Sequence, residues 1–362
     1  MRVVAKIGTA SITTEDGNVN REAIIALCGG VASLRSEGHE VVVVSSGAVA
    51  AGVPAVGLSE RPSDMETLQA VSAVGQARLM EVYNEVLAGH GPVGAQVLLD
   101  PHDFVDRTQY LHARRTLSRL IELGCVPIVN ENDAIASSEL RYGDNDRLAA
   151  LLAHNLSADV LVLLTDLDGL HTADPRVDPQ APLVDRVAAD DPLLAISTSM
   201  SGSGRGSGGM ASKLEAARIA SWSGVRTVIA RAARDSVLVD AVHGSAVGTT
   251  FDAHDRRLPA RKLWIAFAAE VAGRITVDAG ARNAVATRST SLLPAGVVAV
   301  DGNFDEGSTV EVADDEGSVF ARGMVAVSAA DLRGVIGRRT GDLPEGMTHE
   351  VIHRDDLVVL PS

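Results

Sequence analysis

The sequence is poor in cysteine, in aromatic residues and in basic residues, and the shortages of cysteine and of basic residues each argue against a class of protein. The 362 residues include only Cys28 and Cys125, too few for a disulfide framework, and no Cys/His cluster has zinc-ligand spacing. Aromatic residues make up 3% of the chain. The 32 Lys and Arg are outnumbered by 47 Asp and Glu, which gives a net charge of −15. A chain this acidic repels polyanions, so we do not expect a general nucleic-acid binder, although a few placed cations could still bind one small anion.

The sequence also lacks a long apolar run. Runs such as Val160–Leu164 fall far short of the roughly 20 residues that span a bilayer. The first residues contain neither an apolar leader nor a cleavage signal. We therefore expect a cytoplasmic protein that does not associate with membranes. Apolar residues at 46% and charged residues at 22% indicate a globular chain, and its length predicts two or three domains.

Strand-like and helix-like patterns alternate from residue 2 to about residue 251. Arg2–Ile7 is the first apolar run, Glu40–Ser45 contains four consecutive valines, and Asp159–Thr165 is the most apolar run. Between such runs lie amphipathic patterns, the first of which Asn20 can cap. This alternation predicts an α/β fold with a mostly parallel sheet between two layers of helices.

The pattern changes after about residue 252. Residues 253–262 are polar, rich in arginine, and read as a linker. Short β-type runs separated by Gly, Asp and Asn then predict a small, mainly β domain over residues 263–362. The runs are Arg274–Val277, Gly296–Val300, Thr309–Val312, Val319–Ala326 and Val351–Leu360.

Polar and glycine-bearing residues follow several predicted strands, at the edge where open α/β sheets bind ligands. Lys6 ends the first strand beside Gly8, and Ser46-Gly47 follows the valine strand directly. Thr165-Asp166 follows the most apolar strand. A lysine in an apolar strand is costly to bury without a partner, so Lys6 should face a cleft unless it lies at a solvated edge.

Two short segments combine carboxamides with carboxylates. They are Asn130-Glu131-Asn132-Asp133 and Gly143-Asp144-Asn145-Asp146. Such side chains could bind a metal ion, recognise an ammonium group, or only form a turn and cap a helix.

A glycine-rich loop, residues 202–209, leads into a helical pattern that contains Lys213 in its first turn. Backbone N–H groups there and the lysine favour phosphate, and the alternative of a flexible linker is weakened because the glycines run straight into a helical pattern. The loop is not a Walker A motif, because Ser212 rather than glycine precedes the lysine. Two placed lysines and several glycines at strand ends indicate phosphoryl transfer, which depends on positioning and cations. No nucleophile elbow supports hydrolase chemistry.

These segments occur in the order seen in the amino acid kinase family, which the chain resembles over nearly its whole length. The paired Asn-Glu-Asn-Asp and Gly-Asp-Asn-Asp segments are most similar to those members that phosphorylate free glutamate. Gly273–Asp278 and Ser291–Pro294 resemble parts of a PUA domain. The resemblance implies ATP-dependent phosphorylation of the γ-carboxylate of L-glutamate to L-glutamyl 5-phosphate, the first step of proline biosynthesis.

The resemblance also implies roles for individual residues. Lys6 and Lys213 would neutralise charge on the transferred phosphoryl group, with Asp146 orienting both lysines. For glutamate, the implied ligands are Ser46, Asp133 and Asn145, with Asp133 on the α-ammonium and the other two donating to carboxylate oxygens. The amides of Gly8 and Gly47 would bind the γ-phosphate. The implied ATP-binding residues are Lys6, Gly8, Gly47, Thr165, Asp166, Ser207, Gly208, Gly209, Met210, Ala211, Ser212 and Lys213.

The implied ligands and partners complete the prediction. ATP would bind with Mg²⁺ held mainly by its phosphates, and we assign no protein ligand to the metal. The family resemblance further implies feedback inhibition by proline and a homo-oligomer, a dimer or a tetramer. Two alternatives stay open, namely another family member such as one acting on acetylglutamate, and an RNA-binding protein acting through the PUA-like domain. Residues 261–362 contain 10 basic and 15 acidic residues, which disfavours RNA.

Overall fold

A computed structural model describes all residues except 15–16, 105, 136–144, 195–208, 256, 269–270, 345–347 and 361–362. The described residues up to Arg257 form one compact unit, and those from Leu258 onward form a second. No helix in the described part of the chain is both long enough and apolar enough to cross a bilayer.

The first unit contains an eight-stranded sheet in the order β3-β4-β2-β1-β5-β7-β8-β6. Neighbouring strands are parallel except β7 and β8, which are antiparallel. The strands are β1 (Arg2–Ile7), β2 (Glu40–Ser45), β3 (Gly94–Leu99), β4 (Val126–Glu131), β5 (Val160–Thr165), β6 (Arg186–Val187), β7 (Arg226–Arg231) and β8 (Gly248–Phe251).

Helices connect most of these strands. They are α1 (Thr9–Ile12), α2 (Arg21–Ser36), α3 (Ala48–Ala55), α4 (Met65–Ala88), α5 (Arg107–Glu122), α6 (Asn145–Leu156), α7 (Met210–Trp222) and α8 (Val237–His243). Polar side chains fix several of their starts, as at Asn20, which accepts a hydrogen bond from the amide of Ala23.

The strands at the centre of the sheet are buried on both faces. Val41–Val44 and Val160–Leu164 are each at most 2% exposed, which is why both read as continuous apolar runs. Cys28 packs in the same core, and burial raises the pKa of its thiol to about 12. Cys125 is only partly buried. The predicted α/β fold is confirmed.

Helices α3 and α4 cross with their backbones in direct contact, at two glycines. A methyl group on Gly75 would overlap the carbonyl oxygen of Ala48, and one on Gly52 would overlap the carbonyl oxygen of Val71. The close crossing matters for the site below, because α3 starts directly after Ser46-Gly47.

Replacing Gly75 with alanine is expected to lower the free energy of unfolding by about 1–3 kcal/mol, because the methyl group forces α3 and α4 apart. Chemical denaturation of the full chain measures the change. Gly29→Ala is the matched control, since a methyl group there meets nothing within 4 Å and alanine favours a helix by up to ~1 kcal/mol. Equal stabilisation by both substitutions would contradict the close crossing.

The second unit is built on a five-stranded sheet in the order β10-β9-β11-β12-β13. Strands β9 and β11 are parallel, and the other neighbours are antiparallel. The strands are β9 (Val271–Val277), β10 (Val297–Gly302), β11 (Thr309–Ala313), β12 (Val319–Met324) and β13 (Leu357–Val359). The helices are α9 (Ala260–Leu263), α10 (Ala279–Arg288) and α11 (Ala329–Val335).

One predicted strand of this unit is largely wrong. Within Val351–Leu360 only Leu357–Val359 is a strand, and Arg354–Asp356 forms a 3-10 turn instead. The His353 side chain accepts a hydrogen bond from the backbone amide of Asp355, so the local polar residues favour the turn over an extended backbone. The other four runs form strands at nearly the predicted positions. Helix α9 begins at Ala260, inside the segment predicted as a linker.

Candidate active site

Two lysines and one aspartate meet in a buried cluster at the carboxyl-terminal edge of the first sheet. Lys6 lies on β1 opposite Val44 and Leu163 of the two neighbouring strands. Its Nζ lies 2.6 Å from Oδ1 of Asp146, and the Nζ of Lys213 lies 2.9 Å from Oδ2 of the same carboxylate. Lys6 and Lys213 are each 4% exposed and Asp146 is fully buried.

The charges of this cluster favour an anion beside it. Burial alone would raise the pKa of Asp146, but the two lysines outweigh it and hold that pKa below its usual value. The ionised carboxylate compensates one of the two ammonium groups, so the cluster carries a net positive charge. The Ser212 hydroxyl also donates to Oδ2 of Asp146, over 2.9 Å.

A cavity of about 440 Å³ opens beside the cluster, and we call it the first cavity. It brings together the three residues expected to bind the amino acid, Ser46, Asp133 and Asn145. It also contains a cation that the sequence analysis missed, Arg61, in the segment between α3 and α4. The complete lining is Lys6, Gly8, Thr9, Ala10, Ser11, Ser46, Gly47, Ala48, Val49, Ala50, Arg61, Asn130, Glu131, Asp133, Asn145, Thr165, Asp166 and Lys213.

Asp133 is an acceptor with a perturbed pKa. Burial raises the pKa of its carboxyl above the usual value, while the Ser72 hydroxyl and the positive charge of Arg61 act in the opposite direction. Ser72 on α4 donates to Oδ2 of Asp133 over 2.9 Å. A partly desolvated carboxylate of this kind pairs strongly with an ammonium group.

Asn145 is oriented differently from the expectation. Its Nδ2 donates to the hydroxyl of Ser46 at 2.9 Å, to Oδ1 of Asn130 at 2.9 Å, and to the carbonyl oxygen of Ser45 at 3.3 Å. This arrangement disfavours the expected donation from this amide to a substrate carboxylate, because three acceptors of the protein share its two N–H groups. What Asn145 offers a ligand is its oxygen.

A second cavity of about 360 Å³ adjoins the first. The two share Thr165, Asp166 and Lys213, which makes Lys213 a wall common to both. Gly209 and Met210, at the start of α7, line the second cavity as expected for a nucleotide site. The remaining residues of its lining are Leu167, Gly169, Leu170, His171, Ala173, Asp174, Pro175 and Arg176.

Of the two glycines predicted to bind phosphate, Gly8 uses its amide within the sheet, whereas Gly47 has a backbone conformation that requires glycine. The amide of Gly8 donates to the carbonyl oxygen of Leu164 at 3.2 Å, so its predicted use on a phosphate disagrees with the structure, although Gly8 lines the first cavity. Gly47 has a φ of +95°, and a side chain there would come within 2.9 Å of Ile12. Only glycine suits this left-handed position at the start of α3.

Only some of the predicted nucleotide-binding residues of the glycine-rich loop lie within the described part of the chain. Ser207 and Gly208, like Gly143 and Asp144, lie outside the described residues. Ala211 and Ser212 line neither cavity, and Ser212 contacts Asp146 instead.

One group with metal-ligand spacing occurs among the described residues: Glu37, His39 and His243. It lies at the amino-terminal edge of the sheet, opposite the cavities, and its atoms bond to one another, as in the 2.7 Å contact of His243 Nε2 with Glu37. We assign it no role in the site.

The site is a buried cluster of two lysines beside two adjoining cavities at the strand ends of a mostly parallel sheet. Residues 1–231 match the amino acid kinase family and residues 273–346 match the PUA domain. This chain is a kinase that belongs to the amino acid kinase family and carries a C-terminal PUA domain. The crystal structure of the T. acidophilum isopentenyl phosphate kinase product complex has the same fold, with a TM-score of 0.50 at 19% identity, covering 69% of this chain and all of that one.

Relatives align with this chain over both of these regions. The glutamate 5-kinase of Myxococcus xanthus is 47% identical over 99% of this chain and 96% of its own length. That of Thermobifida fusca is 46% identical over 99% and 93%, and that of Thermoanaerobacter sp. is 42% identical over 99% and 98%. The predicted kinase activity and the predicted two-part architecture of kinase and PUA domain are confirmed.

Proposed function

We propose that this kinase transfers the γ-phosphoryl group of ATP to the γ-carboxylate of L-glutamate, which gives L-glutamyl 5-phosphate and ADP for proline biosynthesis. One observation carries the proposal: Lys213 forms a wall common to a cavity equipped for an amino acid and a cavity equipped for a nucleotide. Glutamate 5-kinase relatives that align over nearly the whole chain support the same substrate.

The first cavity has the polarity that free glutamate requires. Asp133 and the oxygen of Asn145 are acceptors for an α-ammonium group, and Arg61 is a cation for a carboxylate. The substrate's second carboxylate would then lie towards Lys6 and Lys213. An acylated nitrogen is neutral and offers one N–H donor, so the acceptors fit acetylglutamate less well.

Transfer requires positioning and positive charge rather than a base. The γ-carboxylate is ionised at neutral pH, because the usual pKa of such a group is about 4.3. One of its oxygens forms a bond to the γ-phosphorus while the bond from that phosphorus to the β,γ-bridging oxygen breaks, and the electron pair leaves with ADP. Lys6 and Lys213 neutralise the charge on the equatorial oxygens.

Mg²⁺ is part of the proposal as the ion that accompanies ATP and screens its phosphates. Asp146 is unsuited to hold it, because the two lysines occupy both of its oxygens. Asp166 lines both cavities and offers the carboxylate oxygens that Mg²⁺ prefers. We nevertheless expect the phosphates of ATP to be the main ligands of the ion. Location in the cytoplasm, inhibition by proline and a homo-oligomer stay predictions.

The identity of the substrate is tested by measuring the rate of ADP release with L-glutamate and with N-acetyl-L-glutamate, each at saturating Mg²⁺ and ATP. We expect kcat/KM for glutamate to exceed that for the acetylated compound by at least about 100-fold, since the buried acceptors would face a neutral group. ATP without an amino acid is the control for hydrolysis. An equal or larger kcat/KM for N-acetyl-L-glutamate would overturn the proposal in favour of the alternative kinase.

A further inference from the structure

A chain of carboxamides leads from the first cavity into the protein. The Nδ2 of Asn145 donates to Oδ1 of Asn130, whose Nδ2 donates to Oε1 of Gln76, and both steps are 2.9 Å. The Nε2 of Gln76 then donates to Oε1 of Gln96 at 3.2 Å. Asn130 is 2% exposed and Gln76 is 7% exposed, whereas Gln96 is exposed on the outermost strand β3.

Two backbone groups fix the direction of this chain. The amide of Glu131 donates to Oδ1 of Asn130 at 2.9 Å, so that atom must be the acceptor. The carbonyl oxygen of Ser45 accepts from Asn145 at 3.3 Å, so the Asn145 atom there must be the donor. A carboxamide reversed at either position would place two donors or two acceptors against each other.

The fixed direction leaves one atom for the ligand. Oδ1 of Asn145 is buried and has no hydrogen-bond partner within the described parts of the chain, and Asn145 lines the first cavity. A buried acceptor without a partner is costly unless a ligand supplies a donor. The α-ammonium of the substrate is the donor that the cavity's polarity selects.

We propose that Gln76 is a positioning residue that sets selectivity for an amine-bearing substrate. Its oxygen holds Asn130, and Asn130 holds the Asn145 carboxamide with the oxygen available to the substrate. Gln76 lines neither cavity, so it acts through these two side chains. The inference rests on the proposed function, because it assumes a substrate whose α-nitrogen is an ammonium group.

Loss of the Gln76 oxygen would change selectivity more than turnover. Without that acceptor, the Nδ2 of Asn130 is left buried without a partner, and this cost offsets the bond that its Oδ1 accepts from the Glu131 amide. The Asn130 carboxamide is then held less firmly, and with it the Asn145 carboxamide. Where Asn145 reverses, it presents Nδ2 to the cavity, and Nδ2 repels an ammonium group. Binding of a substrate without an amine would suffer less.

The test compares L-glutamate with glutarate, which lacks only the amine, by ADP release from the full chain. For Gln76→Met we expect the ratio of kcat/KM for glutamate to that for glutarate to fall by about 10-fold, the size of one lost hydrogen bond to a charged group. The loss should lie in KM for glutamate, with KM for ATP unchanged. Gln76→Ala removes the same acceptor and replaces Gln76→Met if the latter does not fold.

Two matched variants separate positioning from packing. Gln76→Glu keeps an acceptor for Asn130, so the ratio should remain within about threefold of the wild-type value. Gln96→Met removes the outer end of the chain but leaves the Gln76–Asn130 bond, so it should also preserve the ratio. A wild-type ratio in Gln76→Met, or an equal rise of KM for glutamate, glutarate and ATP, would overturn the positioning role. Absence of glutamate-dependent ADP release from the wild-type protein would instead overturn the proposed function.

Discussion

Replacement of Lys213 with alanine is expected to lower kcat by about 100- to 1,000-fold, the usual loss when one preorganised donor to a developing negative charge is removed. Lys213 lines both cavities, so in the proposed reaction its ammonium lies beside the phosphoryl group as it passes from nucleotide to acceptor. KM for glutamate should change much less than kcat, because the proposed site binds the amino acid through Asp133 and Asn145 rather than through this lysine. Steady-state kinetics with glutamate and ATP measures both.

The chain has a matched control for this substitution. Of its three lysines, only Lys262 lies outside the site. The Nζ of Lys262 donates to the carbonyl oxygen of Arg354 at an exposed position. Lys262→Ala should retain the wild-type kcat. A Lys213→Ala protein that is folded by circular dichroism and retains wild-type turnover would exclude Lys213 from the transfer.

Replacement of Asp146 with asparagine is expected to reduce stability and activity together. The substitution leaves two lysines, each 4% exposed, without their shared counter-charge. Breaking a buried ion pair in this way costs about 3–5 kcal/mol in the free energy of unfolding. We expect that loss in urea unfolding at neutral pH, and a kcat reduced at least as far as in Lys213→Ala because both lysines lose their orientation.

The stability difference should depend on pH in a defined direction. The folded protein holds the pKa of Asp146 below its usual value. The ionised Asp146 therefore contributes fully to the free energy of unfolding above the unfolded pKa of about 3.9, and this contribution is lost as the pH falls through the folded pKa. The difference in the free energy of unfolding between wild type and Asp146→Asn should therefore become smaller below about pH 4. The exposed Asp190→Asn is the control and should stay within about 0.5 kcal/mol of wild type. A constant gap at all pH values would contradict the buried ion pair.

The sequence was informative wherever one residue's environment follows from its own neighbours. Lys6 stands in an apolar strand, and a buried lysine needs a counter-charge, so its place in a charged cleft could be predicted. Four valines in β2 predicted a strand covered on both faces. The start of α7 could be placed because a glycine loop runs into an amphipathic pattern.

Properties that depend on contacts between distant segments could not be predicted. The direction of the Asn145 carboxamide is set by Ser45 and Asn130, at 100 and 15 residues away in the chain. Arg61 carries no motif, and its place beside the first cavity depends on how the segment between α3 and α4 packs. The amide of Gly8 is taken by Leu164 of β5, a sheet contact that local sequence does not reveal. Each depends on tertiary packing rather than on residue type.

Trapping the product with hydroxylamine tests the central claim most directly. An acyl phosphate reacts with hydroxylamine to a hydroxamate, whereas simple hydrolysis of ATP leaves none. With L-glutamate, Mg²⁺ and ATP, we expect the wild-type chain to form γ-glutamyl hydroxamate in a one-to-one ratio to ADP, and Lys213→Ala to form almost none. Release of ADP by the wild-type protein without hydroxamate would contradict transfer to the γ-carboxylate of glutamate.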